Sequence, residues 1–205
     1  MRETSREHWD SAYQRDPSGL SWYEAEPTTS LELIHELEID RSAGVVDVGG
    51  GTSPLAGRLL DRGFNDVTVL DISTVALATA QTDLGARADR VDWIAHDIRS
   101  WRPERRFDLW HDRAVFHFLV DLDDRQRYVQ TLRQGLAPGG AVILATFAPD
   151  GPDHCSGLPV ARYDAQGIAA IFAPELRLVC ERREERATAG GTSQPLTWTV
   201  LHSSP

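Results

Sequence analysis

Apolar residues in this chain fall into short runs separated by helical stripes. Val45-Val46-Asp47-Val48 precedes a helical pattern near 53–62, and the run from Asp66 to Ile72 precedes another near 73–84. A third run, 91–98, leads through a Trp-Arg-Pro loop to a fourth, Phe107 to Asp112. Tyr128, Leu132 and Leu136, with Val129 beside them, form an i, i+4, i+8 stripe that predicts a helix. Ala137-Pro138-Gly139-Gly140 is expected to stop that helix before a buried strand over 141–147. Such alternation predicts βαβ units and a mainly parallel sheet.

Both ends of the chain break the rhythm. Strand-like runs at 176–184 and 195–201 are joined by a Gly-rich turn too short for a helix, which predicts an antiparallel hairpin at the sheet edge. The first forty residues hold a helical start at 7–14 and an aromatic loop, Leu20 to Tyr23. A helix through Leu31, Ile34 and Leu37 follows, opening on Thr29-x-x-Glu32, a capping-box pattern. This segment is expected to cap the ligand end of the sheet.

Composition narrows the class without changing that picture. At 205 residues, 41% of them hydrophobic and 25% charged, the chain suits one soluble domain: 1–42 as an N-terminal cap and 43–205 as the core. No apolar run reaches the roughly 18–20 residues of a membrane helix, so no membrane partner is expected. The polar start does not read as a secretory signal. The two cysteines, Cys155 and Cys180, are spaced for neither a zinc site nor a disulfide framework, so no metal is expected and the location reads as cytoplasmic. A formal net charge of −10 argues against nucleic acid as the main partner. The Arg-rich stretches 102–106 and 182–186 carry acids among their arginines and read as solvated surface.

The chemistry concentrates in VVDVGGGTSP, 45–54. Glycines at a strand end let a ligand approach the backbone, and the N–H groups opening the next helix suit an anion or carboxylate. Nicotinamide dinucleotides, nucleotide phosphates and S-adenosylmethionine all use such turns. Asp71, twenty residues beyond Gly51, ends the second strand, where an acid accepts both ribose hydroxyls of an adenosine group. Asp47 places a carboxylate inside a buried strand, which is costly without a function. Where a dinucleotide fold carries its final glycine, this chain has Pro54. A carboxylate beside the loop suits a ligand with an ammonium group and no pyrophosphate, such as the amino-acid end of S-adenosylmethionine.

In order and spacing, DVGGGTSPLA, VLDIS, HDI, FDLWHDRAVFHFL and LAPGGAVILATF resemble the motifs of class I S-adenosylmethionine-dependent methyltransferases, over residues 44–148. The resemblance implies an α/β fold: a Rossmann-like, doubly wound, seven-stranded sheet, mainly parallel, with an antiparallel C-terminal hairpin strand and an N-terminal helical cap. It implies S-adenosylmethionine as cofactor, with S-adenosylhomocysteine as product. Asp47, Gly49 and Gly51 would line the methionine and ribose side. Asp71 would bind the ribose hydroxyls with Ile72 against the adenine, and Asp97 and Ile98 would meet the adenine edge and face. His8-Trp9-Asp10-x-x-Tyr13, Ser21-Trp22-Tyr23 and Pro27 are similar to a subgroup that includes lysine methyltransferases of citrate synthase and of elongation factor 1A. That similarity makes Tyr13 and Trp22 candidates for the methionine end and sulfonium, since cations are drawn to aromatic faces.

In that fold the acceptor sits beyond the fourth strand, here Trp110 to His117, so Asp112, His111 and His117 are the titratable catalytic candidates. Asp112 also has a plain structural reading as a helix cap, and His117 as a core histidine. Cys155, His154, Arg162 and Tyr163, in the segment after the fifth strand, are candidates to shape an acceptor pocket. The fourth strand lacks the Asn/Asp-Pro-Pro-aromatic motif of nucleic-acid base methylases. The run 186–191 also departs from the His-x-Thr-Pro stretch that related bacterial chains carry before the last strand. A small-molecule or protein methyl acceptor is therefore expected, with no nucleic acid. A cofactor-binding protein without turnover and a nicotinamide-dependent oxidoreductase remain as alternatives.

Overall fold

All seven β-rich runs become strands. The computed structural model describes residues 6–14, 24–187 and 193–204. Seven strands make one mixed sheet, ordered 91–95, 67–71, 45–48, 107–113, 136–147, 193–203 and 176–187, the Rossmann-like class expected. The chain divides into two compact units, Met1–Ile98 and Arg99–Pro205.

In the first unit β1 (Val45–Val48), β2 (Val67–Asp71) and β3 (Val91–Ala95) run parallel, with Val46 opposite Thr68 and Val69 opposite Trp93. β1 and β2 are buried along their whole length, which explains why they read as continuous apolar runs instead of alternating ones. Four helices accompany them: α1 (Arg6–Tyr13), α2 (Thr28–Glu36), α3 (Leu55–Asp61) and α4 (Thr74–Leu84). The expected capping box at α2 does not form. Pro27 stands at the N-cap with no side-chain cap bond, so Thr29 already lies inside the first turn. At α4, Ser73 caps in the ordinary way, its hydroxyl accepting from the Ala76 N–H at 3.1 Å.

The second unit holds β4 (Phe107–Arg113), β5 (Leu136–Phe147), β8 (Leu176–Ala187) and β9 (Ser193–Ser203), with α5 (Leu122–Gly135) and α6 (Ala165–Phe172). A small hairpin, β6 (His154–Cys155) with β7 (Leu158–Pro159), stands apart from the main sheet. β4 and β5 are parallel, β9 runs antiparallel to β5, and β8 and β9 pair antiparallel as their short spacing in sequence predicts. The segment expected to stop α5 belongs instead to β5. Leu136 already pairs with Phe107, the ladder slips between Phe107 and Leu109, and Gly139 turns with φ 70°. The Ala137 carbonyl accepts from the Ser203 hydroxyl, and the Gly139 N–H bonds the Ser204 carbonyl, so Pro138 leaves no ladder group stranded.

Strand β8 lies at the sheet edge, and its charged run is only partly the solvated surface expected. Arg183 makes a two-pronged bond to Asp150 at 3.0 and 2.9 Å and also pairs with Glu185. Glu184 accepts from the buried Trp198 indole at 2.7 Å. Charges along an exposed strand also discourage edge-to-edge pairing.

Candidate cofactor and acceptor residues

The glycine turn of the first unit is shaped by the side chains around it. Gly49 and Gly51 take φ values of 67° and 51°, a region that favours glycine. A Cβ on Gly50 would lie 2.7 Å from Asp47 Oδ2 and 2.8 Å from Val69 Cγ1. A Cβ on Gly51 would collide with the Tyr13 hydroxyl and come within 3.3 Å of Asp71 Oδ2. Asp47, 3% exposed, thus lies against the turn from within β1, while Tyr13 meets it from α1.

Asp71 is the electrostatic centre of this cluster. It is 6% exposed, and its Oδ1 accepts the Ser73 N–H at 2.7 Å. Burial pushes its carboxyl up to about 7, with the Asp47 and Asp10 charges adding to the rise and the Ser73 and Gly51 N–H groups opposing it. A carboxylate carries about four lone-pair sites, and two backbone N–H groups leave two for a vicinal diol. The half-buried Ile72 follows it. The His96 N–H bonds the Asp71 carbonyl at 2.9 Å, which sets the end of β3, with Asp97 and the 7% exposed Ile98, beside the end of β2.

Helix α1 is tied to the same edge by residues whose part the sequence did not reveal. Asp10 Oδ1 accepts from the Ser73 hydroxyl at 2.6 Å and from the Val75 N–H at 3.2 Å. Arg6 donates to the Ile72 carbonyl at 3.0 Å and the Ala95 carbonyl at 3.4 Å. Asp10 stands in the quoted His-Trp-Asp motif, so a signal for it existed; Arg6 carried none. Asp47, Gly49, Gly51, Asp71, Ile72 and Tyr13 therefore converge at the ends of β1 and β2. Trp22 lies outside the described residues.

The acceptor candidates of the second unit do not form one constellation. His111 and Asp112 are consecutive in β4 and face opposite sides of the sheet. His111, 2% exposed, lies 6.3 Å from the Trp198 ring. Asp112 is fully buried: Oδ2 accepts from the Tyr128 hydroxyl at 2.6 Å, and Oδ1 from the Val115 and Phe116 N–H groups at 2.8 and 3.4 Å. Its pKa rises to about 6, chiefly through burial. These bonds anchor a turn in which Ala114 has φ 71°. Asp112 thus anchors the entry to the Phe116–Phe118 turn, much as its plain helix-cap reading expects, with both carboxylate oxygens engaged. Tyr128 was legible only as a member of the α5 stripe, and its hydroxyl could not be paired from sequence.

His117 sits in a short 3-10 turn, Phe116–Phe118, just after β4. It is fully buried, with Phe118 at 4.5 Å and Phe147 at 4.9 Å between ring centroids. Among the described residues neither ring nitrogen has a hydrogen-bond partner, and burial lowers its pKa to about 3. Downstream, His154 pairs with Asp153 at 2.9 Å on the surface, and Cys155 is buried. Arg162 holds the Gly151 carbonyl at 3.1 Å, while the Tyr163 ring lies 5.7 Å from Phe116.

Known proteins add family context to this geometry. Residues 45–140 match a family model described as a methyltransferase domain. Malonyl-[acyl-carrier protein] O-methyltransferase 1 of Ilyobacter polytropus is 27% identical over 135 residues, covering 63% of this chain and 49% of that protein. The chain spans about half the length of the first such relatives. EEF1A lysine methyltransferase 2 of Danio rerio is 22% identical over 92% of this chain and 82% of its own. Among solved structures, the Burkholderia thailandensis 1,6-didemethyltoxoflavin-N1-methyltransferase, with bound 1,6-didemethyltoxoflavin and S-adenosylhomocysteine, shares the fold. Its TM-score is 0.76 at 22% identity, over 98% of this chain and 87% of that one.

Proposed function

We propose that this chain, whose residues 45–140 match a methyltransferase domain, is a class I methyltransferase that moves a methyl group from S-adenosylmethionine to a small-molecule or protein acceptor. The product is S-adenosylhomocysteine. The supporting observation is the cluster of buried Asp71 and Asp47 around a glycine turn with no room for side chains at Gly50 and Gly51. Residues 1–205 act in this reading as one methyltransferase domain in the cytoplasm, with 1–42 as its cap. Among the described residues no helix is long and apolar enough to cross a membrane.

The cluster fits the cofactor by its donors and acceptors. Asp71 accepts the two ribose hydroxyls on the lone pairs its backbone partners leave, and Ile72 and Ile98 flank the adenine, with Asp97 at its edge. Gly49 and Gly51 bring backbone against the ribose and methionine, and Asp47 supplies the negative charge for the ammonium group. Tyr13 closes the same side from α1, and Trp22 keeps its part as a sulfonium-side aromatic. Bound there, S-adenosylmethionine would supply an electrophilic methyl carbon whose transfer to an acceptor lone pair leaves the C–S electron pair on sulfur.

Holding acceptor and donor in line supplies most of the acceleration such a displacement needs. A general base is therefore not required of His111 or Asp112, and Asp112 serves by fixing the turn that carries His117. A nicotinamide-dependent oxidoreductase is disfavoured by the Asp47 charge beside the turn, by Pro54 where a dinucleotide fold carries its final glycine, and by the closing antiparallel hairpin. A binder without turnover shares every cofactor residue, and only catalysis separates it. Incubation with S-adenosylmethionine labelled in its methyl group, over metabolite and lysate-protein pools, should label an acceptor. Unlabelled pools with intact S-adenosylhomocysteine binding would favour the binder.

A further inference from the structure

Helix α1 turns one face to the glycine turn and the end of β2. Arg6, Asp10 and Tyr13 stand at i, i+4 and i+7, the spacing that puts three side chains on one side of a helix. Arg6 donates to the Ile72 carbonyl at 3.0 Å, Asp10 accepts from the Ser73 hydroxyl at 2.6 Å, and Tyr13 fills the space a Gly51 side chain would need. An isolated helix of eight residues is marginal in water, so contacts of this kind supply most of its order. Asp10 is an unfavourable choice for one of them on charge alone, because it adds to the rise in the Asp71 pKa. A neutral asparagine or serine would accept the same bonds without that repulsion.

We propose that Asp10 is a positioning residue for ribose recognition, holding the Asp71 carboxylate through Ser73 in the orientation that meets a vicinal diol. The inference rests on the methyltransferase reading, in which Asp71 binds the ribose, and it makes α1 part of that recognition. The chain of bonds is short. Ser73 is fully buried, and its hydroxyl is fixed from two sides: the O–H donates to Asp10 Oδ1, and the oxygen accepts the Ala76 N–H at 3.1 Å. The Ser73 N–H donates in turn to Asp71 Oδ1 at 2.7 Å. A hydrogen bond to a charged acceptor is roughly twice as strong as a neutral one, which suits an acid to the far end of such a chain. Asp10 Oδ1 also accepts the Val75 N–H at 3.2 Å, while Arg6 holds the carbonyl of the intervening Ile72. Both ends of the segment 72–75 are thus tied to one helix. Released from Asp10, Ser73 keeps only its local bonds, and the Asp71 side chain gains freedom to turn away from the hydroxyls.

The test compares S-adenosylhomocysteine with its 2′,3′-dideoxy analogue by titration calorimetry, at a pH above the value of about 7 to which burial lifts Asp71, so that the carboxylate is ionised. Wild-type protein should prefer the diol by at least about tenfold, as hydrogen bonds to a charged group allow. Asp10→Ala should cut that preference to about threefold or less, while affinity for the analogue stays within about threefold of wild type. Asp10→Asn keeps an oxygen acceptor and should restore most of the preference. Ser73→Ala should lose it as Asp10→Ala does, and the double variant should lose no more than either single one, since members of one network do not add. A preference that survives Asp10→Ala, or an equal fall in affinity for both ligands, would overturn the inference and leave Asp10 as a structural tie to α4. A loss that Asp10→Asn does not recover would overturn it as well. The wild-type measurement separates the two levels. Protein that binds both ligands alike, or neither, removes the cofactor reading beneath the inference, whereas an intact wild-type preference with unresponsive variants removes only the part given to Asp10.

Discussion

The Tyr128 hydroxyl donates to Asp112 Oδ2 at 2.6 Å while accepting the Trp110 indole N–H at 3.0 Å. A single phenol thus satisfies a buried carboxylate and a buried indole, and burial, with the Asp112 charge, holds its own pKa well above the usual value. Tyr128→Phe strips both partners at once and should cost about 2–4 kcal/mol in urea unfolding. Affinity for S-adenosylhomocysteine, assigned to the first unit, should not change. A loss of cofactor binding without loss of stability would contradict the structural part given to Asp112.

Asp71 should make cofactor binding proton-linked. Burial lifts its carboxyl from 3.8 to about 7, so between those values the folded protein holds a proton that the unfolded chain has released. The group therefore contributes stability that falls as pH rises through that window. Two ribose hydroxyls favour the ionised form. Affinity for S-adenosylhomocysteine should then rise with pH toward 7, by up to about tenfold per unit, and binding at pH 6 should release a proton. Calorimetry in buffers of different ionisation enthalpy measures that release, and Asp71→Asn should flatten the profile.

Gly51→Ala should damage the turn twice over. The new methyl would collide with the Tyr13 hydroxyl, and the residue would still need φ 51°. Strain of about 1–3 kcal/mol is expected, with cofactor affinity reduced by at least tenfold. The double variant Gly51→Ala, Tyr13→Phe removes the nearest clashing atom and should recover part of the affinity. No recovery would separate Tyr13 from the turn.

His117 predicts the opposite pH sign from Asp71. Its pKa falls from 6.5 to about 3 on burial, so below 6.5 the unfolded chain takes up a proton that the folded chain refuses. Stability is lost as pH falls. His117→Phe, which cannot take up that proton, should gain about 2 kcal/mol in stability relative to the wild type between pH 6.5 and 5, at roughly 1.4 kcal/mol per unit. Parallel denaturation curves at both pH values would show that the imidazole is protonated in the folded state.

Much of this architecture is written in local pattern. β1 and β2 read directly because burial along their whole length leaves most of their positions apolar, and the tail hairpin follows from a linker too short for a helix. Asp47 and Asp71 are legible for a related reason: acids are conspicuous at strand positions where burial penalises them. The rest depends on partners distant in sequence. Whether Asp112 is a free base or a turn anchor is decided by Tyr128, sixteen residues on. That Asp10 would reach Ser73 depends on how α1 meets α4, which no single helix pattern encodes. Helix α6 was within reach, since Asp164 caps it through the Gly167 N–H and Ile168 and Phe172 lie four apart, but its eight residues make a weak signal. The segment 137–140 reads as a helix stop because Pro and Gly usually are, and only the bonds from Ser203 and to Ser204 keep it in the sheet.

The most direct test of the central claim is titration calorimetry of S-adenosylhomocysteine and NAD into the wild-type chain and Asp71→Ala. The account predicts that S-adenosylhomocysteine binds and NAD does not. It also predicts that Asp71→Ala weakens the former by more than about tenfold, on the 1.5–3 kcal/mol or so that hydrogen bonds to a charged group contribute. Binding of NAD in place of S-adenosylhomocysteine, or an affinity untouched by Asp71→Ala, would contradict it.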